Sequence, residues 1–211
     1  MRNCVACWIA VSGYKNAGKT TLLERLIRAL AARGRRVGAL KRDAHGFASF
    51  PAGTDTARLA AAGAERTAIL GPDGHLGWDA RLRPEERARV CAETVLAPLD
   101  ALDFAFLEGG KEAPLGKFVL LTQVDAAADG YDPPLFARAP EARRRVLAWV
   151  VPAGPRAVNG GGAVPVFFRD EVDGMAAELF RLQAAGQVPA PDLAALAAYL
   201  AADGPPGADG A

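Results

Sequence analysis

The chain predicts an α/β fold: a mostly parallel sheet of about seven strands with helices on both faces. Three observations carry that expectation. Apolar runs alternate with segments whose apolar residues recur at helical spacing along most of the chain. The runs are apolar at consecutive positions, as strands covered on both faces require. Between the first run and the first helical pattern stands Gly13-Tyr14-Lys15-Asn16-Ala17-Gly18-Lys19-Thr20, which fits G-x-x-x-x-G-K-[ST], the phosphate-binding P-loop that joins a strand to a helix. The expected architecture is therefore that of a P-loop nucleoside triphosphatase.

Residues 5–11 are rich in β-formers and read as the first strand. The helix at 21–33 carries Leu22, Leu23, Leu26, Ile27 and Leu30 as one apolar stripe, and Gly34 stands where a C′ glycine ends a helix. Residues 37–41 form a second strand, followed by the polar loop Arg42-Asp43-Ala44-His45-Gly46. A short helix at 55–62 ends at Gly63, and a third strand at 67–70 is closed by the turn Gly71-Pro72-Asp73-Gly74. The helix at 84–96 has Pro84 in its first turn, with Glu85 and Glu86 at the positive end of its dipole. Strands follow at 103–108, 117–122, 146–151 and 164–168, then a helix at 171–182. Residues 123–145 and 152–163 carry the prolines, glycines and charges of surface excursions. Residues 1–184 are expected to form one nucleotide-binding domain. Residues 185–211 are expected to add a helix from Pro191, with Leu193, Leu196 and Leu200 docking on the parent domain, and then a disordered tail.

Composition narrows the partners. Twenty-five basic and 24 acidic residues give a net charge of +1, without the basic excess that nucleic acid or anionic lipid selects. The longest apolar runs fall far short of the roughly 20 residues that span a bilayer, so a soluble protein is expected. Three cysteines fit a reducing cytoplasm. Cys4 and Cys7 form a nominal C-x-x-C, yet residues three apart on a strand point to opposite faces and share no metal. His45, His75 and Cys91 complete no ligand set.

The chemistry follows from the loop. Residues Gly13 to Thr20, with Thr21 opening the helix, can turn backbone N–H groups onto phosphate oxygens. Lys19 reaches the β- and γ-phosphates, and the Thr20 hydroxyl ligates Mg²⁺. The competing structural reading is a glycine-rich turn with a solvated lysine, and it leaves the strand–loop–helix context unexplained. The strand at 103–108 ends in Glu108 and then Gly109-Gly110-Lys111. Ligands of open parallel sheets lie at the carboxyl ends of strands, so Glu108 is a candidate to hold Mg²⁺ through water or to orient an attacking water. The bland alternative is a solvent-facing carboxylate paired with Lys111. Asp43 is a second candidate for the outer shell of the metal. Thr122-Gln123-Val124-Asp125 departs at its first two positions from the guanine-reading N-K-x-D motif and is not assigned to the base.

These residues together resemble the MobB family of molybdopterin-guanine dinucleotide biosynthesis adaptor proteins over most of the first 180 residues. The resemblance rests on the P-loop continued by Thr21-Leu22-Leu23, on Lys41-Arg42-Asp43-Ala44-His45-Gly46, and on Gly53-Thr54-Asp55-Thr56 leading to Ala62-Gly63-Ala64. It also rests on Leu107-Glu108-Gly109-Gly110-Lys111-Glu112 followed by Lys117, and on Pro165-Val166-Phe167-Phe168 with Asp170-Glu171-Val172-Asp173-Gly174-Met175-Ala176. The resemblance implies a cytoplasmic, dimeric GTP-binding protein with weak GTPase activity, assisting the partner enzyme MobA that joins GMP to molybdopterin. Two other classes stand beside it: a P-loop small-molecule kinase or ligase, with Arg143-Arg144-Arg145 as its only lid candidate, and a GTPase metallochaperone, which would need a convergent Cys/His set.

Overall fold

The computed structural model describes residues 5–41, 62, 66–70, 76–80, 84–122, 130–131, 134–137 and 140–202. The elements are β1 (Cys7–Gly13), α1 (Lys19–Ala31), β2 (Val37–Lys41), β3 (Arg66–Leu70) and β4 (Leu76–Ala80). Helix α2 (Pro84–Val90) continues through a π-helical segment (Cys91–Leu96) into Ala97–Asp100. Then come β5 (Phe104–Glu108), β6 (Gly116–Leu120), a 3₁₀ turn (Pro134–Phe136), the short α3 (Pro140–Arg143), β7 (Val146–Val151), β8 (Val166–Phe168), α4 (Val172–Ala184) and α5 (Leu193–Ala201).

Six strands make one sheet in the order β2-β5-β1-β6-β7-β8, and every pairing in it is parallel. Strand β1 lies inside, with Val11 opposite Glu108 of β5 on one side and Gly13 opposite Leu120 of β6 on the other. A strand so placed must be apolar on both faces, and it is. Cys7, Ile9 and Val11 face a core built with Leu22, Leu23, Leu26 and Leu30 of α1 and Met175, Leu179 and Leu182 of α4. Ala6, Trp8 and Ala10 face the opposite core with Leu96, Leu107, Leu115 and Leu196. A third cluster, around Val119, Tyr131, Phe136 and Trp149, extends the covering under β6 and β7.

The expected α/β architecture is therefore present, with six strands rather than about seven in the main sheet. The strand expected at 67–70 pairs instead with β4, antiparallel, in a separate two-stranded sheet. The reason is length: a parallel return needs a crossover of about a dozen residues or more, and only residues 71–75 separate β3 from β4. The helix at 84–96 runs on to Asp100, whose Oδ1 accepts the indole N–H of buried Trp8 at 2.9 Å. The helix expected at 55–62 lies outside the described residues except for Ala62, as do Cys4, Asp43, His45 and His75. Helix α5 docks as the leucine pattern requires, with Leu196 and Ala197 buried against Trp8 and Leu96, while Asp192 caps it by accepting the N–H groups of Ala194 and Ala195. Among the described residues no helix is long and apolar enough to cross a membrane.

Leu26 is fully buried between α1 and the sheet. Leu26→Ala should lower unfolding stability by about 2–5 kcal/mol, read from urea denaturation. A loss within experimental error would mean that this face of β1 is not the packed core described here.

Candidate functional site

The P-loop leaves β1 through Gly13, whose φ of 149° lies in the region that favours glycine, and a Cβ there would meet the Leu120 carbonyl oxygen at 2.6 Å. The turn is therefore packed against β6 by the absence of a side chain. It enters α1 through Gly18 at φ 87°, a left-handed N-cap with no side chain to bond the first N–H groups of the helix. The first turn of α1 also lacks an acidic residue. The first N–H groups of α1, which no side chain caps, and the positive end of the helix dipole thus face the loop, the arrangement that attracts phosphate. Asn16 adds a further positive φ, of 60°, and Ala17 N–H donates to the Tyr14 carbonyl at 3.2 Å, closing the loop on itself.

Three of the expected groups meet at its mouth. The Thr20 hydroxyl donates to Glu108 Oε1 at 2.7 Å, joining residues 88 apart in sequence. Glu108 is 9% exposed and ends β5 beside β1. The Lys19 ammonium bends over its own loop, donating to the carbonyls of Gly13 at 3.2 Å and Tyr14 at 2.6 Å. Tyr14 packs its ring against the core, whereas Lys15 and Asn16 are exposed. The pairing of Glu108 with Lys111, the bland alternative, is not found. Among the described residues its ion-pair partner is Lys41, which faces Glu108 in register across β2 and β5 and puts Nζ 3.8 Å from Oε1. Asp43, the other metal candidate, lies outside the described residues.

Other residues beside the loop were given no role by motif. Lys41 belongs to a quoted segment but received no role; only the strand register brings it to Glu108. Ser12, buried in β1, donates its hydroxyl to the Gly109 carbonyl at 2.8 Å, while Gly109 N–H donates to the Val11 carbonyl at 2.9 Å. These two bonds tie the turn after Glu108 to the strand before the P-loop. Lys117, fully buried in β6, donates to the Lys111 carbonyl at 2.7 Å and the Ala113 carbonyl at 3.2 Å, holding the crossing between β5 and β6 from beneath. A buried ammonium in a strand is the signal that could have found it, because burial of a cation demands acceptors.

Arg143-Arg144-Arg145, the lid candidate, precedes β7 and so lies at the amino end of the parallel sheet, opposite the P-loop. Arg143 is already engaged, donating to the Asn159 carbonyl at 2.6 Å with its guanidinium over Trp149. Cys7 faces the core under α1, and among the described residues no three His, Cys, Asp or Glu side chains gather where they could hold a metal ion.

Residues 8–134 match the model of the family described as molybdopterin guanine dinucleotide synthesis protein B, more than half of the chain and inclusive of Gly13–Thr21, Lys41, Asp43 and Glu108. The chain belongs to the MobB family. It is 37% identical over 117 residues to a Bacillus subtilis protein named as a probable molybdopterin-guanine dinucleotide biosynthesis adapter, covering 54% of this chain and 65% of that one. It is 31% identical over 114 residues to the Escherichia coli adapter protein, covering 53% and 63%. These matches span just under two thirds of the length of the relatives. The solved structure of Bacillus subtilis MobB covers 82% of this chain and 97% of its own at 26% identity, with a TM-score of 0.51. A molybdopterin-guanine biosynthesis protein B crystal structure at 24% identity and TM-score 0.54 shares the fold. The α/β P-loop architecture read from the sequence is thus that of MobB structures, and the resemblance seen in the motifs is a family relation.

Lys117 generates a pH test. Desolvation holds its pKa down to about 8 from 10.5, with nearby Arg145 lowering it and Glu112 opposing. Below pH 8 both folded and unfolded chains carry the proton, and the penalty of the buried charge is complete. Above about 8 the folded state releases it while the unfolded chain keeps it, so this group raises stability with pH. Cys7, pushed up to about 12 from 9.0 by burial, acts in the opposite sense above pH 9, where the unfolded thiol ionises first. From about pH 7.5 to 8.5, before the thiols of Cys7 and of Cys91, which burial also raises, ionise appreciably in the unfolded chain, Lys117 dominates: Tm should rise across this window in the parent chain and not in Lys117→Met. An equal rise in both would remove Lys117 as the cause.

Proposed function

We propose that this MobB-family chain is a GTP-binding adaptor of molybdenum cofactor biosynthesis that assists formation of molybdopterin guanine dinucleotide. In this reading it works in the cytoplasm as a homodimer beside a MobA-like molybdopterin guanylyltransferase and hydrolyses GTP slowly. The names of its relatives support the pathway and the adaptor role. The observation that carries the nucleotide site is the 2.7 Å contact between Thr20 Oγ1 and Glu108 Oε1 at the mouth of a loop that leads into a helix end no side chain caps.

The donor set fits Mg²⁺. A hydroxyl and a carboxylate are hard oxygen ligands, few enough to leave the remaining positions to phosphate oxygens and water, as this small ion requires. Thr20 would hold the ion directly, Glu108 would hold its water shell, and Asp43 is the third expected contributor. A Mg²⁺ ion held there would supply positive charge to offset that of the phosphates. The chain itself binds and orients. The N–H groups of residues 13–21 surround the phosphates, Lys19 exchanges its two carbonyl acceptors for phosphate oxygens, and Glu108 accepts a proton-bearing ligand where Thr20 now donates. Lys19 and Glu108 are thus the proposed catalytic groups. No arginine finger or water-positioning glutamine is assigned at the site, which is why turnover is slow. Residues 1–184 serve as the nucleotide-binding unit, and 185–211 as an appended segment whose helix α5 packs on it.

Calorimetric titration tests the site. The parent chain should bind GTP in the presence of Mg²⁺, and Lys19→Ala should reduce affinity at least a hundredfold; undiminished binding by that variant would sink the assignment. Glu108→Gln should weaken Mg²⁺-dependent binding about tenfold and leave the fold intact, since its packing is preserved. Steady hydrolysis of GTP at rates of order 1–100 s⁻¹, those of kinases, would count against an adaptor. Capture of a molybdopterin guanylyltransferase by the full chain, strengthened by GTP, is the expected partner result.

A further inference from the structure

We infer that Arg169 is the residue that selects guanine, by donating to the O6 and N7 edge of the base; the inference rests on the nucleotide site proposed above and goes beyond it. The direction of the ligand is fixed first. Thr20, Glu108 and Lys41 lie on the β5 and β2 side of the P-loop and mark where a metal ion and the terminal phosphate belong. Phosphates and base stand at opposite ends of a nucleotide, so the nucleoside extends the other way, over the carboxyl ends of β6, β7 and β8.

Arg169 stands in that path. It follows β8 directly, and its N–H donates to the Val151 carbonyl at the end of β7 at 3.1 Å. Its side chain then reaches across β7, and Nη2 donates to the Leu121 carbonyl at 3.1 Å. Leu121 comes one residue after Leu120, the register partner of Gly13. The guanidinium therefore lies over the strand next to the P-loop, its plane fixed at one end by a carbonyl. The rest of the group is not accounted for: Nε is buried and has no hydrogen-bond partner among the described residues. A buried charged donor left unpaired is costly, and an arginine cannot shed its proton to escape the cost. The neighbouring cation Arg156 is committed elsewhere, paired with both oxygens of Glu171 and stacked on Phe168. Arg169 is the one that keeps a donor in reserve.

The chemistry of the bases does the rest. Guanine presents two acceptors, O6 and N7, on one edge; adenine replaces the first with an amino donor. A guanidinium fork matches the former and opposes the latter. No N-K-x-D motif is then needed for the choice, which agrees with the departures at Thr122 and Gln123.

The test compares GTP, ATP, ITP and 7-deaza-GTP by calorimetry on the parent chain, Arg169→Met and Lys19→Ala, with circular dichroism to check folding. The parent chain should prefer GTP to ATP at least tenfold, hold ITP within a few-fold of GTP because inosine keeps O6 and N7, and bind 7-deaza-GTP several-fold more weakly. In Arg169→Met the ratio of GTP to ATP affinity should fall about tenfold or more, the size of a lost two-point base contact. An unchanged ratio in a folded variant would overturn the inference, as would ITP binding as poorly as ATP, or no preference for GTP in the parent chain. Should Arg169→Met fail to fold, the analogue series on the parent chain decides alone. Failure of the parent chain to bind any triphosphate, or undiminished binding by Lys19→Ala, would remove the nucleotide site itself, an outcome distinct from loss of base preference.

Discussion

The close approach of Gly13 to the Leu120 carbonyl constrains everything built around it. Strand β1 is paired on both edges and covered on both faces, so its direction is fixed by Ile9, Val11, Trp8 and Ala10 in two separate cores. The chain can leave such a strand toward a ligand only by turning at its carboxyl end. There the space beside β6 admits a hydrogen atom and not a methyl group. Because α1 is pinned by Leu22, Leu26 and Leu30 to the same core, the loop is held at both ends, and its N–H groups are set by the packing of two elements rather than by its own preferences.

Charge is distributed along the strands with the same economy. At the carboxyl edge, Glu108 stands between the Thr20 hydroxyl and the Lys41 ammonium, while Lys19 and Arg169 donate to main-chain carbonyls. At the amino end, Lys117 is buried and spends its donors on the carbonyls of Lys111 and Ala113. That cation costs solvation, which depresses its pKa, and it gains the fixed course of the crossing between β5 and β6. Ser12 does the same job from the other side with a neutral hydroxyl. The turn after Glu108 is thereby held by two strands, β1 and β6, although neither contributes the carboxylate.

How much of this was legible in the sequence depends on whether the signal was local. The P-loop, the leucine stripe of α1 and the doubly apolar strands β1, β5 and β7 are patterns within one element, and they read correctly. The meeting of Glu108 with the P-loop was legible because the carboxyl ends of neighbouring parallel strands lie side by side, so an acid after Phe104 to Leu107 falls beside Thr20. The placements of Lys41 and Arg169 were not, since they arise from strand order: only when β5 lies between β2 and β1 does Lys41 face Glu108, and only when β7 lies between β6 and β8 does Arg169 span it. Register and order are set by packing at long range, which no window of residues contains. The hairpin of β3 with β4 was not read for a simpler reason: β4 spans only five residues, Leu76–Ala80, and a run that short is a weak signal on its own.

The insertion of β5 between β1 and β2 has a consequence for how the chain comes to be. As the polypeptide emerges from the ribosome, β1, α1 and β2 appear first, yet β2 has no bonded neighbour in the sheet until Phe104–Glu108 arrives to fill the gap. Gly13 likewise lacks its counterpart until Leu120 has been made. The nascent amino-terminal segment therefore lacks its β5 and β6 neighbours, and the turn at Gly13 gains its packing only after more than half the chain has been synthesised.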